Sequence, residues 1–353
     1  MGFSGASDLA VRLAWWCGLM TIALALLLSL QLLVLRVLLS VRQWRAASVR
    51  ATWEPVLIES LENLPGSLPQ IHRRDRLTLL TLWNYLHDSL RDEAQERLNQ
   101  VARMARLDEA ARQMARSGGL RERLIGITTL GQLREASEWA MLQQLATEAD
   151  PVLSLVAARA LLRIDGPRTI NLVIPLIAAR ADWSSAVVAV MLRQAGADLV
   201  SEPLARGALN VPAAQSARLL RFGEVAHADV MLPVARQLIT AAQDGEVITA
   251  CLRLLSGPED LATARHFLTD ARWPVRVQAA ITLGRIGVEE DEAQLTGALR
   301  DREWWVRYRA AQALASLPSM NAQRLAKLAE HLPPGFEFGR DSISQVLAER
   351  RIR

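Results

Sequence analysis

Two cysteines, Cys17 and Cys251, are all that this chain has in 353 residues. A disulfide framework or a cysteine-ligated metal needs more thiols at short spacing, so both are excluded and each thiol reads as buried and reduced. Aromatics make up only 5% of the residues, with Trp (10) outnumbering Phe (5) and Tyr (2), so the tryptophan positions need individual explanations. Lysine is almost absent: Lys327 stands alone and the positive charge is otherwise guanidinium. No surplus of one sign exists either, because 37 acidic residues are interspersed with 41 basic ones. That mixture describes a salt-bridge-laced helical surface and argues against a nucleic-acid footprint. The five histidines, His72, His87, His227, His266 and His331, are scattered without a metal-ligand pattern. With no glycine-rich nucleotide fingerprint and no nucleophile elbow, no catalytic, cofactor or metal site is assigned.

What the chain does have is apolar. Residues are 51% hydrophobic and mean hydropathy is +0.12, which excludes disorder and leaves a globular or membrane-linked protein. Residues 13–35 carry no formal charge. As a helix they would extend about 34 Å, enough to cross a hydrocarbon core of about 30 Å. Trp15 and Trp16 flank one end and Trp44 the other, at the level where indoles favour headgroups. This predicts one transmembrane helix; the run is too long for a signal-peptide core and no small-residue cleavage site follows it. Arg36, Arg42, Arg45 and Arg50 follow the span, whereas Arg12 is balanced by Asp8 before it. The positive-inside rule then places the bulk of the chain in the cytoplasm, with Arg36 snorkelling to phosphates.

Residues 1–50 are therefore expected to form the anchor and its basic flank. Residues 51–70 read as a juxtamembrane linker, since Pro55, Pro65, Gly66 and Pro69 interrupt helix there. Leu57, Ile58, Leu61 and Leu64 at helical spacing would rest on lipid or a partner, or else cap the soluble domain. A helical segment over 71–119 follows, with Asp92 and Gln95 as a capping box. Gly118 and Gly119 read as a turn.

From residue 120 to 320 the chain repeats itself. Asp270, Trp273, Val275, Arg276, Ala279, Ala280 and Leu283 recur 31 residues later as Asp301, Trp304, Val306, Arg307, Ala310, Ala311 and Leu314. A match at fixed offset signals stacked supersecondary units. The marker leucines 130, 161, 192, 220, 255, 283 and 314 imply about seven helical pairs, with alanines such as Ala157, Ala279 and Ala310 letting backbones approach. Asp150 before Pro151 specifies an N-cap. Residues 321–353 read as capping helices, with Ile343, Val346 and Leu347 on the apolar face of a last helix starting near Asp341.

The Asp, Val-Arg, Ala-Ala and Leu-Gly order in Asp270, Val275, Arg276, Ala279, Ala280, Leu283 and Gly284 resembles the HEAT repeat, in particular the bacterial class similar to phycobilisome lyases. The match is strong over 259–317, fair over 140–165 and 244–257, and poor over 182–223. The resemblance implies an all-α fold, an α-solenoid of HEAT-like pairs preceded by the transmembrane helix. It also implies that Asp270, Arg276, Asp301 and Arg307 form an inter-repeat ladder, interrupted where Ser154 and Ile248 replace the arginine.

Stacking leaves the tryptophans least explained. Trp273 and Trp304 hold equivalent positions before the second helix of their repeats, and Trp183 lies similarly before Ser184. With Trp305, Arg272 and Arg302 they form a candidate partner-binding edge, Trp and Arg being favoured at hot spots; alternatively each indole closes the end of its own pair. The functional expectation is a non-enzymatic scaffold at the bacterial inner membrane, holding a protein partner that is itself integral to the membrane. The resemblance further suggests a membrane glycosyltransferase of exopolysaccharide synthesis or export. A phycobilisome-lyase-like enzyme or chaperone, or a nucleic-acid-binding HEAT protein, are the rival expectations.

Overall fold

A computed structural model describes residues 4–90 and 93–352, and the protein is all-α: nineteen α-helices and, among the described residues, no strand. Two compact units divide the chain between Glu138 and Trp139.

In the first unit, α1 (Ser4–Glu59) is one uninterrupted helix. Its segment from Gly18 is long and apolar enough to cross a membrane, and none of its most apolar window is buried. Trp15, Trp16, Arg36, Trp44 and Arg45 are accessible along it, while the side chains of Cys17 and Arg42 lie outside the described residues. The expected break at residues 51–70 begins only after Glu59. Pro55 sits inside the helix on its exposed side, where water reaches the carbonyl that the ring leaves without a donor. On the opposite side Trp53 and Leu57, one turn apart, are buried against Leu79, Leu80 and Trp83 of α2 (Arg76–Ser89). Packing thus overrides the local helix-breaking signal, and the leucine set divides: Leu57 joins the core, whereas Ile58 and Leu64 stay exposed.

Three more helices complete this unit, α3 (Glu93–Met104), α4 (Leu107–Ser117) and α5 (Leu120–Gln132). Asp92 of the expected capping box lies outside the described residues. Gln95 instead donates to the carbonyls of His87 and Leu90 and closes the end of α2. The first marker helix, α5, belongs here rather than with the later repeats. At Gly126 it meets α4 so closely that a Cβ would stand 2.6 Å from the Ala111 carbonyl.

The second unit is mostly a run of helical pairs: α6 (Trp139–Ala146) with α7 (Pro151–Ile164), α10 (Ala197–Asn210) with α11 (Ala213–Leu220), and α12 (Ala228–Ala241) with α13 (Gly245–Leu254), while α8 (Gly166–Ala179) and α9 (Ser185–Ala195) each pack mainly on neighbours other than one another. Then come α14 (Leu261–Phe267) with α15 (Trp273–Ile286), α16 (Glu292–Ala298) with α17 (Trp304–Ser316), and α18 (Ala322–His331) with α19 (Glu337–Ile352). The second helices stack on one another from α11 through α13, α15 and α17 to α19. Every marker leucine is fully buried, and Ala157, Ala279 and Ala310 are buried beside them. Asp150 caps α7 through the amides of Val152 and Leu153. The last helix starts a turn earlier than expected, at Glu337, with Ile343 and Val346 buried.

Where the sequence pattern fades, between 182 and 223, the packing changes. There α8 lies against both α10 and α11, and α9 buries only Val188, Met191 and Leu192. Pro203 inside α10 removes a helical donor within this region, and Pro175 in α8 and Pro233 in α12 do so on either side of it.

Leu57 joins α1 to the first unit's core, so Leu57→Ala should lower that unit's stability by about 2–5 kcal/mol. Urea unfolding of the full chain in detergent checks this. An unchanged midpoint would mean that α1 is not part of the core.

Candidate functional site

The edge where each pair turns from its first helix into its second is built on guanidinium groups. Arg276, in the first turns of α15, donates through NH1 to the carbonyls of Asp270 and Ala271 in its own loop. Its Nε and NH2 reach the carboxylate of Asp301 in the next loop, at 2.6 and 2.8 Å. Asp301 also accepts the Glu303 amide at 2.9 Å, so the carboxylate orders its own turn while tying two repeats together. Burial pushes the Asp301 carboxyl up, but the Arg276 hydrogen bonds and the Glu303 amide outweigh it and hold the group below the usual aspartate range. Arg307 repeats the first half of this arrangement, donating through NH1 to the carbonyls of Asp301 and Arg302.

Upstream the ladder stops, as the Ile248 substitution predicts. Asp270 has no arginine from the preceding repeat and is held instead by the amide, Nε and NH2 of Arg272. At the other interruption, Ser154 accepts the indole N–H of Trp183 at 3.0 Å.

A second row of ion pairs joins the first helices. Arg236 of α12 pairs with Asp260 and Glu259 before α14, and Arg265 of α14 pairs with Asp291 before α16. Asp260 and Asp291 are buried and also accept amides of their own turns, those of Ser256 and Gly257 and that of Val288 respectively. Further arginines close helix ends: Arg285 donates to the carbonyls of Leu252, Arg253 and Leu255, and Arg218 to those of Ile177 and Trp183. Burial lowers the affinity of both guanidiniums for their proton. Cys251 is buried in α13, where burial raises its thiol to about 12 and keeps it unreactive.

The expected edge residues separate into two groups. Trp183 is only 1% exposed and is committed to Ser154, so its equivalence in sequence does not carry exposure. Arg272 is committed as well, through Asp270 and the Gln243 carbonyl. Trp183 is thus turned inward, while Arg272 keeps about two fifths of its side chain exposed (41%). Trp273, Trp304 and Trp305 are exposed by 44%, 41% and 49%, and Arg302 is exposed beside them in sequence with no ion pair among the described residues.

Trp304 and Trp305 open α17 and are held by a residue the sequence reading missed. Tyr308 stacks on Trp304 with ring centroids 5.1 Å apart and planes 7° from parallel, and Trp305 meets Trp304 edge-on at 4.5 Å. The Tyr308 hydroxyl donates to Glu349 of α19 at 2.8 Å and accepts from Gln312 at 2.7 Å. Its position four residues after Trp304, on the same helical face, was the available signal. Each of these indoles has another aromatic ring of α17 against it. Alongside the ladder lies an open cleft of about 770 Å³ bordered by Arg265, Arg276, Arg300 and Arg302. Among the described residues, no group of three or more His, Cys, Asp or Glu side chains converges to hold a metal ion.

A family model described as HEAT repeats matches residues 261–335, which takes in the ladder and the aromatic trio. No curated protein matches the chain. The matched segment is thus similar to HEAT repeats, and repeats of this kind commonly serve as protein-interaction modules.

Arg276→Met would leave the Asp301 carboxylate without its cation and should cost about 3 kcal/mol at neutral pH. Because Asp301 titrates below its unfolded value, its contribution is present above about pH 4 and is lost as pH falls through the folded value. Melting temperatures of the wild type and Asp301→Asn should therefore differ at pH 7 and converge towards pH 3. A constant gap would deny the ladder its ionic part.

Proposed function

We propose that the protein is a non-enzymatic scaffold, anchored in the bacterial inner membrane by α1, that holds a partner protein on the edge formed by Trp273, Trp304 and Trp305. The observation that carries the reading is the trio of Trp304, Trp305 and Tyr308: large aromatic surface left in water, yet fixed by stacking and by the Tyr308–Glu349 hydrogen bond. Monomer surfaces that serve only solubility do not assemble such a patch, whereas interfaces concentrate Trp, Tyr and Arg at their energetic centre. Preorganisation matters here because side chains already immobilised lose little entropy when a partner docks.

The anchor supports the same reading. An accessible apolar helix continuing without a break into Trp53 and Leu57 would fix the first unit at the membrane surface rather than tether it loosely. From Arg36 to Trp53 the helix would rise about 25 Å. Topology follows the arginines after the span, with the two units cytoplasmic. A partner embedded in the same membrane is the class favoured, and the glycosyltransferase implied by the resemblance is the first to test.

Membrane fractions should retain the full chain through carbonate washing and lose it when residues 1–50 are removed. A photo-crosslinker at position 305 should give one discrete adduct in membranes, abolished by Trp304→Ala, while Trp304→Ala lowers the melting temperature by less than about 3 °C. Recovery of the intact chain in the soluble fraction would overturn the anchor. A fall in melting temperature as large as that of Leu314→Ala would make Trp304 a packing residue instead.

A further inference from the structure

Of the two ladder arginines, only Arg276 has a carboxylate among the described residues. Arg276 and Arg307 are the same residue in successive repeats, and both spend NH1 on two carbonyls of their own loop, at 2.8 and 3.1 Å for Arg276 and 2.7 and 3.0 Å for Arg307. The other edge of Arg276, Nε with NH2, is filled by the Asp301 carboxylate. The matching edge of Arg307 has no carboxylate among the described residues. Arg307 is only 9% exposed, and its Nε is buried without a hydrogen-bond partner. A guanidinium in that state forgoes a charge-assisted bond that the fold has already shaped it to make.

The neighbouring helix does not supply the missing group. In α19, Glu337 turns back to accept the Gly335 amide, and Phe338 lies over the guanidinium with its ring centroid 5.1 Å from Cζ. Phe338 is itself exposed, so a solvent-facing ring covers that face of the guanidinium. Arg307 lies within one helical turn of Trp304, Trp305 and Tyr308.

We propose that Arg307 is a carboxylate-receiving position, at which an Asp or Glu side chain of the docked partner protein takes the place that Asp301 takes under Arg276. This rests on the reading of the tryptophan edge as a docking surface and gives the partner a chemistry: an acidic residue beside apolar or aromatic ones. The bidentate geometry of the filled rung sets the specificity, since a planar guanidinium matches a carboxylate and a neutral amide does not replace it. Phe338 is displaced as the carboxylate enters.

The test uses the full chain in nanodiscs and two readouts. In the first, Phe338→Asp and Phe338→Asn are compared in the parent and in Arg307→Gln. With Arg307 present the aspartate should melt about 2–4 °C above the asparagine, and the difference should vanish with Arg307→Gln. The second background removes the general benefit of an acid at the start of α19. In the second readout, a capped glycine-rich peptide with one Asp is titrated at constant ionic strength against its Asn counterpart. Only the Asp peptide should raise the melting temperature, more strongly in Phe338→Ala and not at all in Arg307→Gln.

Equal melting of Phe338→Asp and Phe338→Asn would overturn the proposal, because the guanidinium would then have no use for a carboxylate. Coupling within the chain but equal response to the two peptides would overturn the partner's part in it. Concentration-dependent self-association lost in Arg307→Gln would replace the partner with a second copy of this chain. Persistent crosslinking at position 305 when both readouts fail would remove Arg307 and leave the tryptophan edge standing; loss of crosslinking with both readouts intact would do the reverse.

Discussion

Stacked helical pairs create a hydrogen-bonding problem at every layer, and arginine is this chain's solution to it. Each helix ends in carbonyls without intrahelical donors, and each tight turn places several of them at the junction between neighbouring pairs. A guanidinium can serve such a junction with several donors in one plane, which an ammonium on a flexible stem cannot. Arg285 alone closes three carbonyls of the preceding pair, and Arg276 joins two carbonyls to a carboxylate of the following one. The scarcity of lysine follows from this geometry. So does the near balance of charge, since buried Asp260 and Asp291 and half-buried Asp301 are each paired with an arginine from an adjacent repeat.

Much of this was legible because packing and polar roles recur at one offset. The marker leucines identify the second helices, and all are buried. Of the expected ladder residues Asp270, Arg276, Asp301 and Arg307, the shared offset brings one inter-repeat pair together, Arg276 with Asp301. The offset of 31 residues in fact extends further back, to Asp260 and Asp291, and that pair could have been found. Their arginines could not, because Arg236 and Arg265 lie 29 residues apart in helices of different length, so partnership depends on stacking rather than on register.

Two expectations failed for a shared physical reason. Pro55 was read as a break and Trp183 as part of an exposed edge, yet each local signal was decided by what packs against the opposite side. Trp53 and Leu57 hold α1 straight through Pro55, while a serine in place of the ladder arginine leaves room for an indole to turn inward and donate to it. The burial of Trp183 thus traces back to the serine one repeat away. Sequence position alone carries no information about that neighbour's size.

The distinction between core and edge also bears on how the last pairs are closed. Ile343 and Val346 of α19 are buried, and α19 packs on α17, so the apolar layer is covered as thoroughly as any interior one. Its polar contacts to α17 run through Glu349 to Tyr308, and the start of α19 lays Phe338 over the guanidinium of Arg307. A helix that served only to shield the stack from water would put polar residues on its outer side and complete the hydrogen bonds beneath it. Here the core is completed and the ladder is not, on the side that carries the ordered tryptophans. Stability of the stack requires only the first; the second leaves the Nε of Arg307 without an acceptor within a turn of the stacked aromatic rings.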